Sequence, residues 1–277
     1  MTAEPNAPIR LPLKFFQRHS REEWARQLLE FATITKPPGE GPFPVVIQLH
    51  GCGGPRPIQV FYGRTALEQE YAVVNVDSFK PRRIAKFDAA MRVCTGMLLH
   101  GYERAADVYA LYDWARRQDW VDKDRIVFAG WSHGGWTVMD ALAMSDPAMG
   151  DRAGRLSRLI DLPDQPLKGL AGAILIYPYA AFPSMTYSRG WGCNKPRVYA
   201  LLCGKDQVVG VRHPPRAIDR LERDGLAVNR LFLPEATHAF DDEKPGDPRS
   251  RYHPEYFDQA RAWYAASLAE IKGQTGC

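Results

Sequence analysis

Apolar residues along this chain gather into short, nearly unbroken runs, with longer stretches between them in which they recur at helical spacing. The runs are Phe43–Leu49, Tyr71–Val76, Arg125–Ala129, Leu170–Tyr177, Val198–Leu202 and Val228–Leu233. Runs of this length without polar alternation predict strands buried on both faces, as in a parallel sheet. Between them, Gly101–Arg117 brings Ala105, Val108, Tyr109, Tyr112 and Ala115 near one helical face. Trp136–Met144 is also compatible with a helix. The last helix is expected to start near Pro254, a residue suited to a first turn, and to run to about Ile271. Upstream, Ser20-Arg-Glu-Glu23 reads as a capping box, continued by Trp24–Phe31 as an amphipathic helix or arm. The pattern predicts an α/β fold, a mainly parallel central sheet with helices on both faces. Residues 1–41 read as an N-terminal arm or helix and 42–277 as a single domain, with cap segments expected near 78–100, 146–168 and 178–196. The 277 residues, 45% of them hydrophobic, are enough for one large domain with a substantial core.

Candidate chemistry sits where the apolar runs end. Gly130-Trp-Ser132-His-Gly134 follows one run and precedes a helix-compatible stretch. A serine on a sharp strand-to-helix turn exposes its oxygen, and flanking glycines make the turn possible. The next two runs lead into Cys203-Gly-Lys-Asp206 and Pro234-Glu-Ala-Thr-His238. Serine needs a base, and the base needs a group that holds its tautomer, so Ser132, His238 and Asp206 form a candidate triad. Asp241 is a minor rival for orienting His238, and Asp242 reads as a loop-shaping carboxylate. The run Phe43–Leu49 ends in His50-Gly51-Cys52-Gly53-Gly54, whose backbone N–H groups suit a developing oxyanion. The expected donors are the amides of Cys52 (with Gly53 second) and His133. His50 then reads as a structural hydrogen-bonding residue, and the His133 ring as turned away from the site.

The pieces LHGCGG, GWSHGG, GKD and THAFDD resemble the α/β-hydrolase superfamily, and most of all its dienelactone hydrolase branch, over roughly Pro42 to Leu268. The resemblance implies an α/β-hydrolase fold and serine-dependent hydrolysis of a carboxylic ester or lactone through an acyl-enzyme. Dienelactone hydrolases proper carry cysteine at the elbow, where this chain has Ser132. Relatives with serine there include esterases, polyester-degrading enzymes and peptidase-like proteins. A peptidase or amidase with the same triad is therefore the alternative reading, and a non-catalytic binding module on the same fold is a third. The family's arginines for anionic substrates point to Arg82 and Arg83, just past the run ending at Asp77, with Arg212 a loose second match. Trp131, Tyr177 and Phe240 flank the candidate turns and are expected in the substrate pocket. The aromatics of 178–196, among them Tyr179, Phe182, Tyr187 and Trp191, are either pocket lining or surface packing.

Other functions find little support. The formal net charge of +4 is mild for this length, and the basic residues are scattered. No nucleic-acid module, compact metal-ligand spacing or dinucleotide fingerprint is present, so no nucleic-acid partner, metal or cofactor is expected. No run reaches membrane-spanning length, and Met1–Arg10 lacks the apolar core of an export signal. Five widely spaced cysteines without a Cys-x-x-Cys pair suggest a cytoplasmic enzyme with free thiols. A Cys94–Cys193 disulfide is the alternative weighed against that.

Overall fold

The computed structural model of the protein describes residues 17–273; Met1–Arg10 and Cys277 lie outside them. Seven strands form one sheet in the order β1-β3-β2-β4-β5-β6-β7. They are β1 (Ala32–Thr35), β2 (Phe43–Leu49), β3 (Ala72–Val76), β4 (Val121–Trp131), β5 (Gly172–Ile176), β6 (Arg197–Cys203) and β7 (Val228–Leu233). All pair in parallel except β1, which runs antiparallel to β3 with Ile34 opposite Val74. The helices are α1 (Arg21–Leu29), α2 (Pro57–Glu68), α3 (Lys86–Asp88), α4 (Gly101–Arg116), α5 (His133–Met144), α6 (Asp151–Ser157), α7 (Thr186–Arg189), α8 (His213–Arg223) and α9 (Pro254–Lys272). A π-helical turn, Ala89–Val93, continues α3.

The period of two in a strand explains the unbroken apolar runs. Val45, Ile47 and Leu49 of β2 join Leu28 of α1, Val108 of α4 and Leu142 of α5 on one face. Val46 joins Tyr62 of α2 and Tyr264 of α9 on the other. Both faces are covered, so neither needs polar residues. The mainly parallel sheet read from the sequence is the one observed.

Several elements escaped the sequence reading for physical reasons. β1 is a largely exposed edge strand, so Ala-Thr-Ile-Thr carries no buried signature. The segment expected as an arm thus extends the sheet, while α1 is capped by Ser20 and Glu23 as expected and docks on α4, Trp24 Nε1 donating to Asp107 at 2.8 Å. Helix α2 mixes aromatic, β-branched and glycine residues, which obscures its helical period. Helix α8 opens on His-Pro-Pro, which reads as loop until the prolines are placed in a first turn.

The cysteine expectation is corrected. Cys52 pairs with Cys94, with Cα atoms 5.0 Å apart, while Cys193 is free and exposed and Cys203 free and buried. The bridge fastens the π-helical turn over the glycine loop. Behind it Phe79, Ala89, Val93, Leu98 and Leu99 form a small core of their own. The segment 178–196 packs on α5: Asp140 accepts from Met185 N–H at 2.7 Å and Ser184 Oγ at 3.1 Å. Asp140 is fully buried, and the loss of water pushes its carboxyl up to about 7.

Candidate active site

Ser132 lies between the end of β4 and the start of α5, at φ 52° and ψ −110°. That left-handed backbone is costly for a residue with a Cβ and persists only where its surroundings impose it. Its N–H donates to the Ile176 carbonyl at 2.9 Å. The two elbow glycines are required by close approach. A Cβ on Gly134 would sit 2.1 Å from the Leu49 carbonyl oxygen, and one on Gly130 would sit 2.4 Å from the carbonyl carbon of Gly134. The Gly-x-Ser-x-Gly spacing is thus the spacing at which the turn fits against β2.

Three residues distant in sequence meet here. Ser132 Oγ donates to His238 Nε2 at 2.9 Å, and His238 Nδ1–H donates to Asp206 Oδ2 at 2.8 Å. All three side chains are buried. The other carboxylate oxygen of Asp206 accepts the N–H groups of Val208 at 3.0 Å and Val209 at 2.9 Å, which fixes its angle. Asp241 does not orient His238. It is buried and accepts Tyr177 Oη–H at 2.8 Å and Tyr62 Oη–H at 3.1 Å. Burial pushes its carboxyl up to about 6, against the pull of those two phenols.

Gly51–Gly54 line a cavity of about 400 Å³ together with Ser132 and His238. Gly51 packs against the elbow, where a Cβ would lie 3.5 Å from the Ser132 Cβ. His50 anchors this loop: Nδ1–H donates to the Gly51 carbonyl at 2.7 Å, and Nε2 accepts Ser78 N–H at 3.1 Å. The His133 ring turns into the protein, Nε2–H donating to the Leu99 carbonyl at 2.6 Å. The remaining wall is largely apolar, with Ile58, Tyr177, Val208, Ala90 and the Cys52–Cys94 bridge.

Some expected pocket residues lie elsewhere. Tyr177 and Trp131 reach the cavity, Tyr177 with its ring 4.8 Å from His238. Trp131 is otherwise wedged into the core against Tyr62 at 5.1 Å. Phe240 is fully buried behind Tyr177 and does not line the cavity. Arg82 is a structural ion-pair partner, 2.7 Å from Asp107 and stacked 4.5 Å over Trp24. Arg83 is exposed and, with Arg212, outside the cavity lining. Nor do the segments 146–168 and 178–196 contribute to that lining. Trp191 is buried, donating to Thr186 Oγ1 at 2.9 Å, and Phe182 is exposed.

The guanidinium that does border the cavity is Arg56, which the sequence reading missed. It pairs with Asp242 at 2.7 Å, and its Nη2 donates to the Lys244 carbonyl. It lies just past the glycine loop, after Pro55, at the N-cap of α2. Asp247, also on the wall, pairs with Arg249, whose hydrogen bonds bring its carboxyl down to about 2.

A parallel sheet in this strand order, with serine on the turn after β4, aspartate after β6 and histidine after β7, defines an α/β-hydrolase fold. A model of the prolyl oligopeptidase family, Peptidase_S9, matches residues 95–149, which span α4, β4 and α5. Among solved structures, a protein assigned as a dienelactone hydrolase from Klebsiella pneumoniae is 17% identical, with a TM-score of 0.61 over 88% of this chain and 92% of that one. A carboxylesterase from Lactobacillus plantarum is also 17% identical, with a TM-score of 0.59 over 87% and 90%. Est1E from Butyrivibrio proteoclasticus is 16% identical, with a TM-score of 0.56 over 88% and 94%. No curated protein matches the sequence significantly. At these identities the likeness carries the fold.

Proposed function

We propose that this protein is a serine-dependent hydrolase of neutral carboxylic esters or lactones. The observation that carries the reading is the hydrogen-bonded chain Asp206–His238–Ser132, opening on the 400 Å³ cavity. Ser132 Oγ attacks the carbonyl carbon while His238 Nε2 takes its proton. Asp206 holds Nδ1–H and stabilises the imidazolium that forms. The tetrahedral oxyanion lies between the amides of Cys52 and His133. His238 then protonates the leaving alcohol, and afterwards removes a proton from the water that releases the acid from the acyl-enzyme.

The wall supports a neutral substrate. Among the described residues its one guanidinium, Arg56, is already matched by Asp242, and Asp247 adds a further carboxylate. The Cys52–Cys94 bridge supports an oxidising compartment over a cytoplasmic one. No described helix is long and apolar enough to cross a membrane. Peptide-bond hydrolysis by the same residues is the second reading, favoured by the prolyl oligopeptidase match over residues 95–149.

The test is turnover of short aryl and alkyl esters, lactones and aminoacyl amides by wild type and Ser132→Ala. Ester turnover should fall on the order of 10³-fold or more in the variant. Near-normal turnover in folded Ser132→Ala protein would sink the serine mechanism. Faster amide than ester cleavage by wild type would instead favour the peptidase reading.

A further inference from the structure

The reaction scheme leaves unused a fully buried arginine beneath the site. Arg104, in the first turn of α4, donates through Nη1 to the His50 carbonyl at 2.8 Å and to His133 Nδ1 at 3.1 Å. Its Nε donates to Ser78 Oγ at 3.0 Å. His50 leads into the glycine loop that carries the Cys52 amide. His133 directly follows Ser132 and carries the other amide. Ser78 in turn donates its N–H to the His50 ring. One planar guanidinium thus ties together the two chain segments that supply the oxyanion donors.

The network fixes the state of each member. The His133 ring accepts at Nδ1 from Arg104 and donates from Nε2 to the Leu99 carbonyl, which requires the neutral ring. Burial, reinforced by the nearby Arg104 charge, brings His133 down to about 3. Arg104 is itself lowered by burial, to about 10, and still carries its charge near neutrality. Asp107 supplies the countercharge 3.7 Å away and is gripped by Arg82 at 2.7 Å and by Trp24 at 2.8 Å.

We propose that Arg104 is a positioning residue for the oxyanion hole, setting the distance between the Cys52 and His133 amides. The inference rests on the serine-hydrolase reading. Oxyanion donors act only within about 2.7–3.1 Å of the developing charge. A misplacement of about 1 Å can cost on the order of 10²-fold in rate. Lysine keeps the charge, but its three N–H donors radiate from one nitrogen and cannot reproduce the planar fork that holds these three acceptors.

The experiment compares wild type, Arg104→Lys and His133→Ala, with Ser132→Ala as control, well below each melting temperature. The readouts are kcat and KM for p-nitrophenyl acetate and the affinity for a small alkylboronic acid, which forms a tetrahedral adduct on serine. In Arg104→Lys, kcat and boronate affinity should fall together by roughly 10–100-fold while KM barely moves. A merely structural arginine would lower the melting temperature and leave both unchanged, and that result overturns the proposal. If Arg104→Lys does not fold, His133→Ala reads the same contact from its other end: it keeps the amide but loses the tether. A wild-type kcat in folded His133→Ala then overturns the proposal. Turnover that survives in Ser132→Ala refutes the underlying serine reading, whatever the arginine variants do.

Discussion

At the scale of single residues, two buried aspartates near His238, Asp206 and Asp241, have different partners. Asp206 sits at the end of the histidine relay, its second oxygen bound by two backbone N–H groups. Asp241 is locked between two tyrosine hydroxyls under the pocket floor. Asparagine at 206 can present an amide N–H to Nδ1, which reverses the tautomer His238 needs. Asp206→Asn should therefore lower kcat on the order of 10³–10⁴-fold with little effect on the fold. Asp241→Asn should leave kcat near wild type and show its effect as lost stability. Steady-state kinetics and thermal melts of the two variants check this. A kcat collapse in Asp241→Asn with Asp206→Asn nearly active would reverse the assignment. The candidate residues at 132, 206 and 238 were legible because each lies only a few positions beyond the end of an apolar run. Arg56 was not, since an arginine after a glycine loop looks the same in sequence whether it faces solvent or a pocket.

At the scale of elements, the glycine loop and the π-helical turn form one unit through the Cys52–Cys94 bridge. The bridge closes a loop across a sequence separation of 42, for which about 2–4 kcal/mol of stabilisation is ordinary. Cys94→Ser should lower the melting temperature and loosen the wall around Ala90, raising KM more than it lowers kcat. In the proposed mechanism position 52 works through its amide, so loss of the bridge should spare the chemical step. Melting curves with and without reductant, together with KM and kcat for one short ester, check this. A loss as deep as that of Ser132→Ala, in protein that is still folded, would give the sulfur a direct part in the chemistry.

At the scale of the whole molecule, the placement of charge leads to predictions for substrate preference and for pH behaviour. The cavity wall carries Arg56 against Asp242, and Asp247 against Arg249, so among the described residues a carboxylate-bearing ester meets no free cation there. Matched esters should show higher kcat/KM for the neutral member, and Arg82→Leu and Arg83→Leu should not alter the ratio. A preference for the charged ester that disappears with Arg82→Leu or Arg83→Leu would restore the anionic-substrate expectation.

Two opposed sets of buried groups set stability against pH. His133 is held down to about 3, and burial also lowers His50, so the unfolded chain gains protons below about pH 6.5 that the fold refuses, and stability is lost on acidification. Asp140 and Asp241 are raised to about 7 and about 6, so over the same window the fold holds protons that the unfolded chain releases above about pH 4. Their contribution rises as pH falls. Removing Asp140 removes one offset, so Asp140→Asn should lose stability more steeply than wild type between pH 6.5 and 4. The extra slope should be up to about 1.4 kcal/mol per pH unit. Denaturant melts at several pH values check it, and parallel curves would refute it.

The sequence by itself determined the parallel strands of the sheet, because burial on both faces writes itself as nearly unbroken apolar runs, whereas the exposed edge strand β1 left no such trace. It marked the candidate triad too, because the elbow tolerates only glycine at two positions and each candidate partner follows a strand end. It did not determine which cysteines pair, which loops wall the pocket or which arginine faces it. Those depend on how segments far apart in the chain fold over the same sheet edge, as Cys94 does over Cys52 and Asp242 over Arg56. The same holds for Arg104, an ordinary helical residue in sequence. Only the packing of α4 on α5 and β4 places its guanidinium between His50 and His133.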